Sequence, residues 1–212
     1  MVPTAHLLAF LAAAFVIIVI PGPSVLFTIG RALSLGRRAA LLTVIGNGVG
    51  SAVPLIAVAL GLGAIVAASA IALTIVKLAG AGYLIYLGIH AFRDRKSLAA
   101  AFGTRVDPVA NGRVFTQGVV VGMTNPKTIV FFAAVLPQFA DPNTPMLSLQ
   151  LLVLGAMFIL IGFVSDGAWA LLAGTVRTWF TKSPKRLEAV GGAGGVLIIG
   201  VGATLAASGA KS

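Results

Sequence analysis

The chain has 212 residues, of which 58% are hydrophobic and 9% charged, and its mean hydropathy is +1.06. A soluble globular domain holds roughly 45–50% apolar and about 25% charged residues, so this composition excludes one and points to a chain embedded in a membrane. Fifteen Lys+Arg against five Asp+Glu give a net charge of +10, and the lack of cysteine excludes a disulfide scaffold, a thiolate metal centre and a cysteine nucleophile.

Six apolar tracts follow in chain order. The first runs from about Thr4 to Ile29 without a charge. No Lys or Arg precedes Arg31, so the basic start of a secretory signal is missing and the tract is expected to stay as a helix. The second runs from about Ala39 to Gly63 and the third from Ile71 to Phe92. After a polar stretch come Val114 to Phe139, Leu147 to Thr175 and Leu187 to Ala207. Each is near or above the roughly 20 residues that cross about 30 Å of hydrocarbon. Backbone groups in lipid must be satisfied internally, and the long apolar runs lack the alternation of a membrane barrel. The expected fold is therefore an all-α membrane protein of six transmembrane helices, residues 1–212 forming one integral membrane domain.

The position of the charges settles what +10 means. Twelve of the fifteen cations fall in three connections: Arg31, Arg37 and Arg38; Arg93, Arg95, Lys96, Arg105 and Arg113; and Arg177, Lys182, Lys185 and Arg186. The connections at 64–70 and 140–146 hold none. By the positive-inside rule the basic connections are cytoplasmic and both termini lie outside. Contact with anionic lipid fits this pattern, whereas nucleic-acid binding would gather the charge on a folded face, for which the longest connection is too short.

Two internal correspondences suggest a duplication. Gly80, Ala81, Gly82 and Gly88 recur as Gly192, Ala193, Gly194 and Gly200, and Pro23–Phe27 parallels Pro126–Val130. Bias among glycine-rich helices is the other source of such matches. As a duplication, the chain reads as two three-helix repeats, about 1–92 and 114–212, joined by a cytoplasmic loop at about 93–113. Three is odd, so the second repeat enters from the opposite side, giving the inverted repeats that many secondary transporters use.

Pro21-Gly22-Pro23 and Asn125-Pro126 interrupt the first and fourth tracts. Proline removes a backbone donor and clashes with a preceding carbonyl, so helices 1 and 4 are expected to be broken. A helix restarting after such a break offers free N–H groups and a positive dipole end to an anionic group, and Ser24 and Thr124 are placed to cap or line these ends. Lys127 lies near the middle of its tract, where burying an ammonium costs at least about 2.5–3.5 kcal/mol, so a partner or a wet cavity is required. Asp166 is the acidic residue deep in an apolar tract, and it is a candidate for coupling substrate to protons. An ion pair with Lys127 is its structural alternative. Lys77 either supports the site or snorkels outward. Asn47, in Gly46-Asn47-Gly48-Val49-Gly50, can bind substrate or a neighbouring helix, and Tyr83 can line a cavity or pack. Glycines four apart, at Gly46/Gly50, Gly118/Gly122 and Gly191/Gly195, let helices approach closely within the chain; a homodimer contact is the other use of that spacing. His6 and His90 sit at the membrane boundaries, and Phe132, Trp169 and Trp179 read as packing or interface anchors.

Pro21-Gly22-Pro23, the glycine-spaced run Gly36–Gly50, Lys77 followed by Gly80–Gly88, and Asn125-Pro126-Lys127 followed by Phe131-Phe132 and Pro137-Gln138-Phe139 together resemble the LysE/RhtB family of amino-acid exporters. The resemblance covers nearly the whole chain in order. It implies a bacterial inner-membrane translocator that exports amino acids or related metabolites using the proton-motive force. No cofactor is expected, and an enzyme would need a nucleophile or metal constellation that two boundary histidines, one deep carboxylate and no cysteine supply poorly. The family's motif positions fall on Pro21, Gly22, Pro23, Asn125, Pro126 and Lys127, with Lys77 and Asp166 as supporting polar sites. One deep acid suits neutral amino acids such as homoserine, threonine or leucine better than lysine or arginine. An exporter of metal ions or other small metabolites on a related scaffold is the alternative; the metal version would show clustered acidic or histidine ligands at the helix breaks, and the sequence has none there.

Overall fold

The computed structural model describes residues 4–20, 22–68, 70–93, 109–141, 144–181 and 183–209. Its regular structure is helical among the described residues: α1 (Thr4–Val19), α2 (Pro23–Leu35), α3 (Arg37–Ala68), α4 (Ala70–Arg93), α5 (Asn111–Thr124), α6 (Pro126–Val130), α7 (Leu147–Thr181) and α8 (Pro184–Gly209). Past α6 the chain stays helical as a π-helical stretch (Phe131–Val135) and a 3₁₀ turn (Leu136–Phe139). Pro21 and the connection at 94–108, with Arg95, Lys96 and Arg105, lie outside the described residues, as does the Trp179 side chain.

Among the described residues, α3 and α7 are each long and apolar enough to cross a membrane. Two further spans arise if each bent pair counts as one: α1 with α2, and α5 with the 126–139 segment, both bent by more than 40°. The breaks therefore fall where proline predicts them. The apolar centres of α4 and α8 are shorter, Thr74–His90 and Gly195–Ala207. The order helix, break, helix, then two longer helices occurs twice among the described residues.

One boundary differs from the sequence reading. Arg31 was expected in a connection, but α2 continues past it to Leu35, because Ala32, Leu33 and Leu35 keep the helix apolar. The turn comes at Gly36, whose φ of 87° lies in the region that disfavours a Cβ, and α3 begins at the next residue. Arg113 and Arg177 likewise sit inside α5 and α7.

Small residues set how closely the helices approach. Gly46 and Gly50 of α3 oppose Gly118 and Gly122 of α5, and a Cβ on any of the four would collide with backbone across the seam. Gly88 of α4 and Gly195 of α8 interlock in the same way. Both seams join the first half of the chain to the second, as expected where lipid offers no hydrophobic drive between helices and close backbone packing must supply the attraction.

The largest core cluster is mostly aliphatic and is threaded by a group of phenylalanines. Phe131 stacks on Phe158 with ring centroids 4.4 Å apart, Phe132 meets the same ring edge-on at 5.1 Å, and Phe10 packs against Phe131 and Phe139 at 6.2 and 5.6 Å. Phe10, Phe131 and Phe132 are fully buried.

Candidate functional site

The two breaks meet at one cavity among the described residues. Its volume is about 40 Å³, room for a few water molecules in this closed arrangement of the helices. Its apolar walls include Ile18, Val44, Phe158 and Phe163, and its polar lining comes from four elements: Ser24 of α2, Asn47 and Ser51 of α3, Asn125, Lys127 and Thr128 of the second break, and Asp166 of α7.

Lys127 is 8% exposed, and its geometry follows from the first break. A helix carbonyl accepts from the N–H four residues on, but residue 21 is proline and has no N–H, so the Ile17 carbonyl loses its donor. The Lys127 ammonium donates to Ile17 O at 2.7 Å and to Ile20 O at 3.0 Å. A cation thus stands at the C-terminal end of α1, where the helix dipole is negative. Gly22 leaves room for it: a Cβ there would come within 3.3 Å of Lys127 Nζ.

The second break caps itself. Asn125 adopts extended backbone (φ −65°, ψ 108°), and its side-chain oxygen accepts from the Lys127 backbone N–H at 3.2 Å. This is an N-cap satisfying one of the free donors of the restarting helix, with Pro126 at the first helical position.

Asp166, 6% exposed, accepts a hydrogen bond from Asn47 Nδ2 at 3.1 Å. Lys127 and Asp166 are close enough to attract electrostatically, yet the ammonium is bonded to α1 carbonyls rather than to the carboxylate. Two atoms lining the cavity are buried with no hydrogen-bond partner among the described residues: Asn47 Oδ1, an acceptor, and Ser24 Oγ. Buried polar atoms are normally paired, so these two are open to a polar group that enters the cavity.

Of the residues singled out in the sequence, the structure brings together Asn47, Asn125, Lys127 and Asp166, with Gly22 against Lys127 and Pro126 beside them. Thr124 is not part of this group; it is exposed and its hydroxyl donates to Val120 O at 2.7 Å within its own helix. Lys77 and Tyr83 lie on α4, which does not line the cavity, and Tyr83 is exposed beside Tyr86. His6 and His90 are exposed. Trp169 packs against Val25, Ile29 and Ala173. Ser51 and Thr128 were missed by the sequence reading. Ser51 lies one helical turn after Asn47 and Thr128 directly follows Lys127, and that nearness was the available signal.

A fold of apolar broken helices around a cavity with a buried ammonium and a buried carboxylate defines a membrane translocator. The LysE type translocator family model matches residues 15–209, and the chain belongs to that family. It is 36% identical over 200 residues to the homoserine/homoserine lactone efflux proteins of Salmonella typhimurium and Salmonella typhi, covering 94% of this chain and 95% of each relative. An uncharacterized membrane protein of Vibrio cholerae is 37% identical over the same share of both chains. No solved structure matches the chain.

Proposed function

We propose that this protein exports small neutral amino acids of the homoserine class, and the lactone of homoserine, across the bacterial inner membrane, driven by the proton-motive force. The observation that carries the reading is the placement of Lys127 and Asp166 in the lining of one cavity without a direct bond between them. A zwitterion needs an anion site and a cation site a few ångströms apart. Lys127 and the free N–H groups at the starts of α2 and of the 126–139 segment hold the carboxylate; Asp166 and the unpaired Asn47 Oδ1 take the ammonium. The names of the two Salmonella relatives support this substrate class. Among the described residues no group of three or more His, Asp or Glu is placed to hold a metal ion, so no observation there favours metal export.

In this reading the chain crosses the membrane six times as two inverted repeats, with the basic connections cytoplasmic and in contact with anionic lipid and both termini outside. Rocking of one repeat against the other about the glycine seams exposes the cavity to each side in turn. Asp166 carries the coupled proton. In inverted vesicles energised with an acidic lumen, radiolabelled homoserine accumulates, and a protonophore abolishes the uptake. Asp166→Asn lowers uptake of homoserine and of its lactone roughly 10- to 100-fold, since each keeps an ammonium and a charged hydrogen bond is worth about 1.5–3 kcal/mol. Unchanged rate and unchanged gradient dependence in Asp166→Asn would remove that residue from coupling.

A further inference from the structure

Three of the four side-chain atoms that are buried and unpaired among the described residues belong to a single helix: Ser24 Oγ, Thr28 Oγ1 and one guanidinium nitrogen of Arg31. Their spacing of four and three residues puts them on one face of α2. Ser24 lines the cavity, and Arg31 lies seven residues further toward the basic junction at Gly36–Arg38, about 10 Å along the axis at 1.5 Å per residue. The three residues are 6%, 0% and 8% exposed, so neither lipid nor open solvent explains them. The neighbouring face of α2 is different in kind: Val25 and Ile29 are equally buried but pack on Ala173 and Trp169 of α7. Phe158, which lines the cavity, is backed by Phe131 and Phe132, so that part of the wall is apolar.

Arg31 closes the far end of this polar face. Its guanidinium lies 4.8 Å from the Phe27 ring centroid and donates to Gln117 Oε1 of α5, a bond that crosses from the first half of the chain to the second. Arg113, one turn before Gln117, adds a second positive charge close enough to act on Arg31.

We infer that the Ser24–Thr28–Arg31 face of α2 is the cytoplasmic leg of the translocation route, closed in this structure by the Arg31–Gln117 bond, with Arg31 the first station for the carboxylate of the incoming solute. Breaking this inter-half hydrogen bond frees a planar donor pair suited to a carboxylate, and parting α2 from the helices it packs on, α3 and α7, wets two hydroxyls that lead to Lys127. The inference rests on the exporter reading for its solute and on side-chain geometry for its path.

The chain has no cysteine, so single thiols can be introduced without background. Thr28→Cys, Ser24→Cys and, as the control on the neighbouring face, Ile29→Cys are placed in inverted vesicles and treated with a membrane-impermeant methanethiosulfonate reagent. Thr28→Cys and Ser24→Cys label at least tenfold faster than Ile29→Cys, and homoserine slows them. Adding Gln117→Leu speeds labelling of Thr28→Cys roughly tenfold, the shift expected when a closed state loses one charge-assisted hydrogen bond. Equal rates at positions 28, 24 and 29 overturn the route; if one thiol variant does not reach the membrane, the other decides it. The labelling contrast does not depend on the substrate. Selective labelling without homoserine uptake by the unmodified protein leaves the route standing and refutes the homoserine reading, whereas uptake without labelling contrast does the reverse.

Discussion

Both helix breaks restart with a proline at the first helical position, Pro23 and Pro126, but they are built differently. At the second, Asn125 folds its own side chain onto the Lys127 backbone N–H, so the restarting helix is capped from within three residues. At the first, the residue before α2 is Gly22, which has no side chain to cap with, and the carbonyls of Ile17 and Ile20 at the end of α1 are held by the Lys127 ammonium, more than 100 residues away in sequence. One residue therefore serves both breaks, its backbone N–H at the second and its side chain at the first. A self-capped break can persist whatever the other half does. A break capped from the other half can change when the halves move or when an anion competes for the ammonium, and that makes the first break the responsive one.

Lys127→Met tests this dependence most severely. It leaves two buried carbonyls without their charged donor, a loss of about 2 kcal/mol read as a lowered melting temperature in detergent. It also removes the carboxylate partner, and homoserine uptake falls roughly 100-fold while the lactone, which has no carboxylate, falls less than about tenfold. An equal fall for both solutes would make Lys127 a structural strut only. Asn125→Ala strikes the self-capped break alone. Loss of an N-cap costs about 1 kcal/mol, so melting drops by roughly 2–4 °C and uptake changes only a few-fold. Should Asn125→Ala instead abolish transport as Lys127→Met does, the two breaks are not independent. The smallest effect is at glycine. Gly22→Ala brings a methyl to 3.3 Å from Lys127 Nζ and shifts uptake about twofold, whereas Gly30→Ala, with nothing within 4 Å of the new Cβ, raises stability by roughly 0.5–1 kcal/mol.

Much of this was legible before any coordinates. Composition and the spacing of apolar tracts determine a helical membrane chain, because hydrocarbon admits only helices and closed barrels and the long apolar runs lack a barrel's alternation. The prolines mark the breaks through their missing N–H, and Lys127 and Asp166 stand out because an ionised group in an apolar tract needs a reason. Gly46, Gly50, Gly118 and Gly122 announce close packing, though which pairs meet depends on how the helices are arranged.

What only the tertiary structure decided is partnership. Nothing in the sequence says that the Lys127 side chain reaches back to Ile17 and Ile20 instead of pairing with Asp166, or that Asn47 holds that carboxylate. Nor does it say that Tyr83 faces outward while Thr28 and Arg31 face in. Thr28 looks like any residue of an apolar helix and Arg31 like an interfacial charge until the surrounding helices bury both, leaving the Thr28 hydroxyl and one Arg31 nitrogen unpaired among the described residues. The physical reason is that local sequence fixes what a residue can donate or accept within its own helix. Which distant group answers it depends on the crossing and depth of helices that the chain brings together from opposite halves.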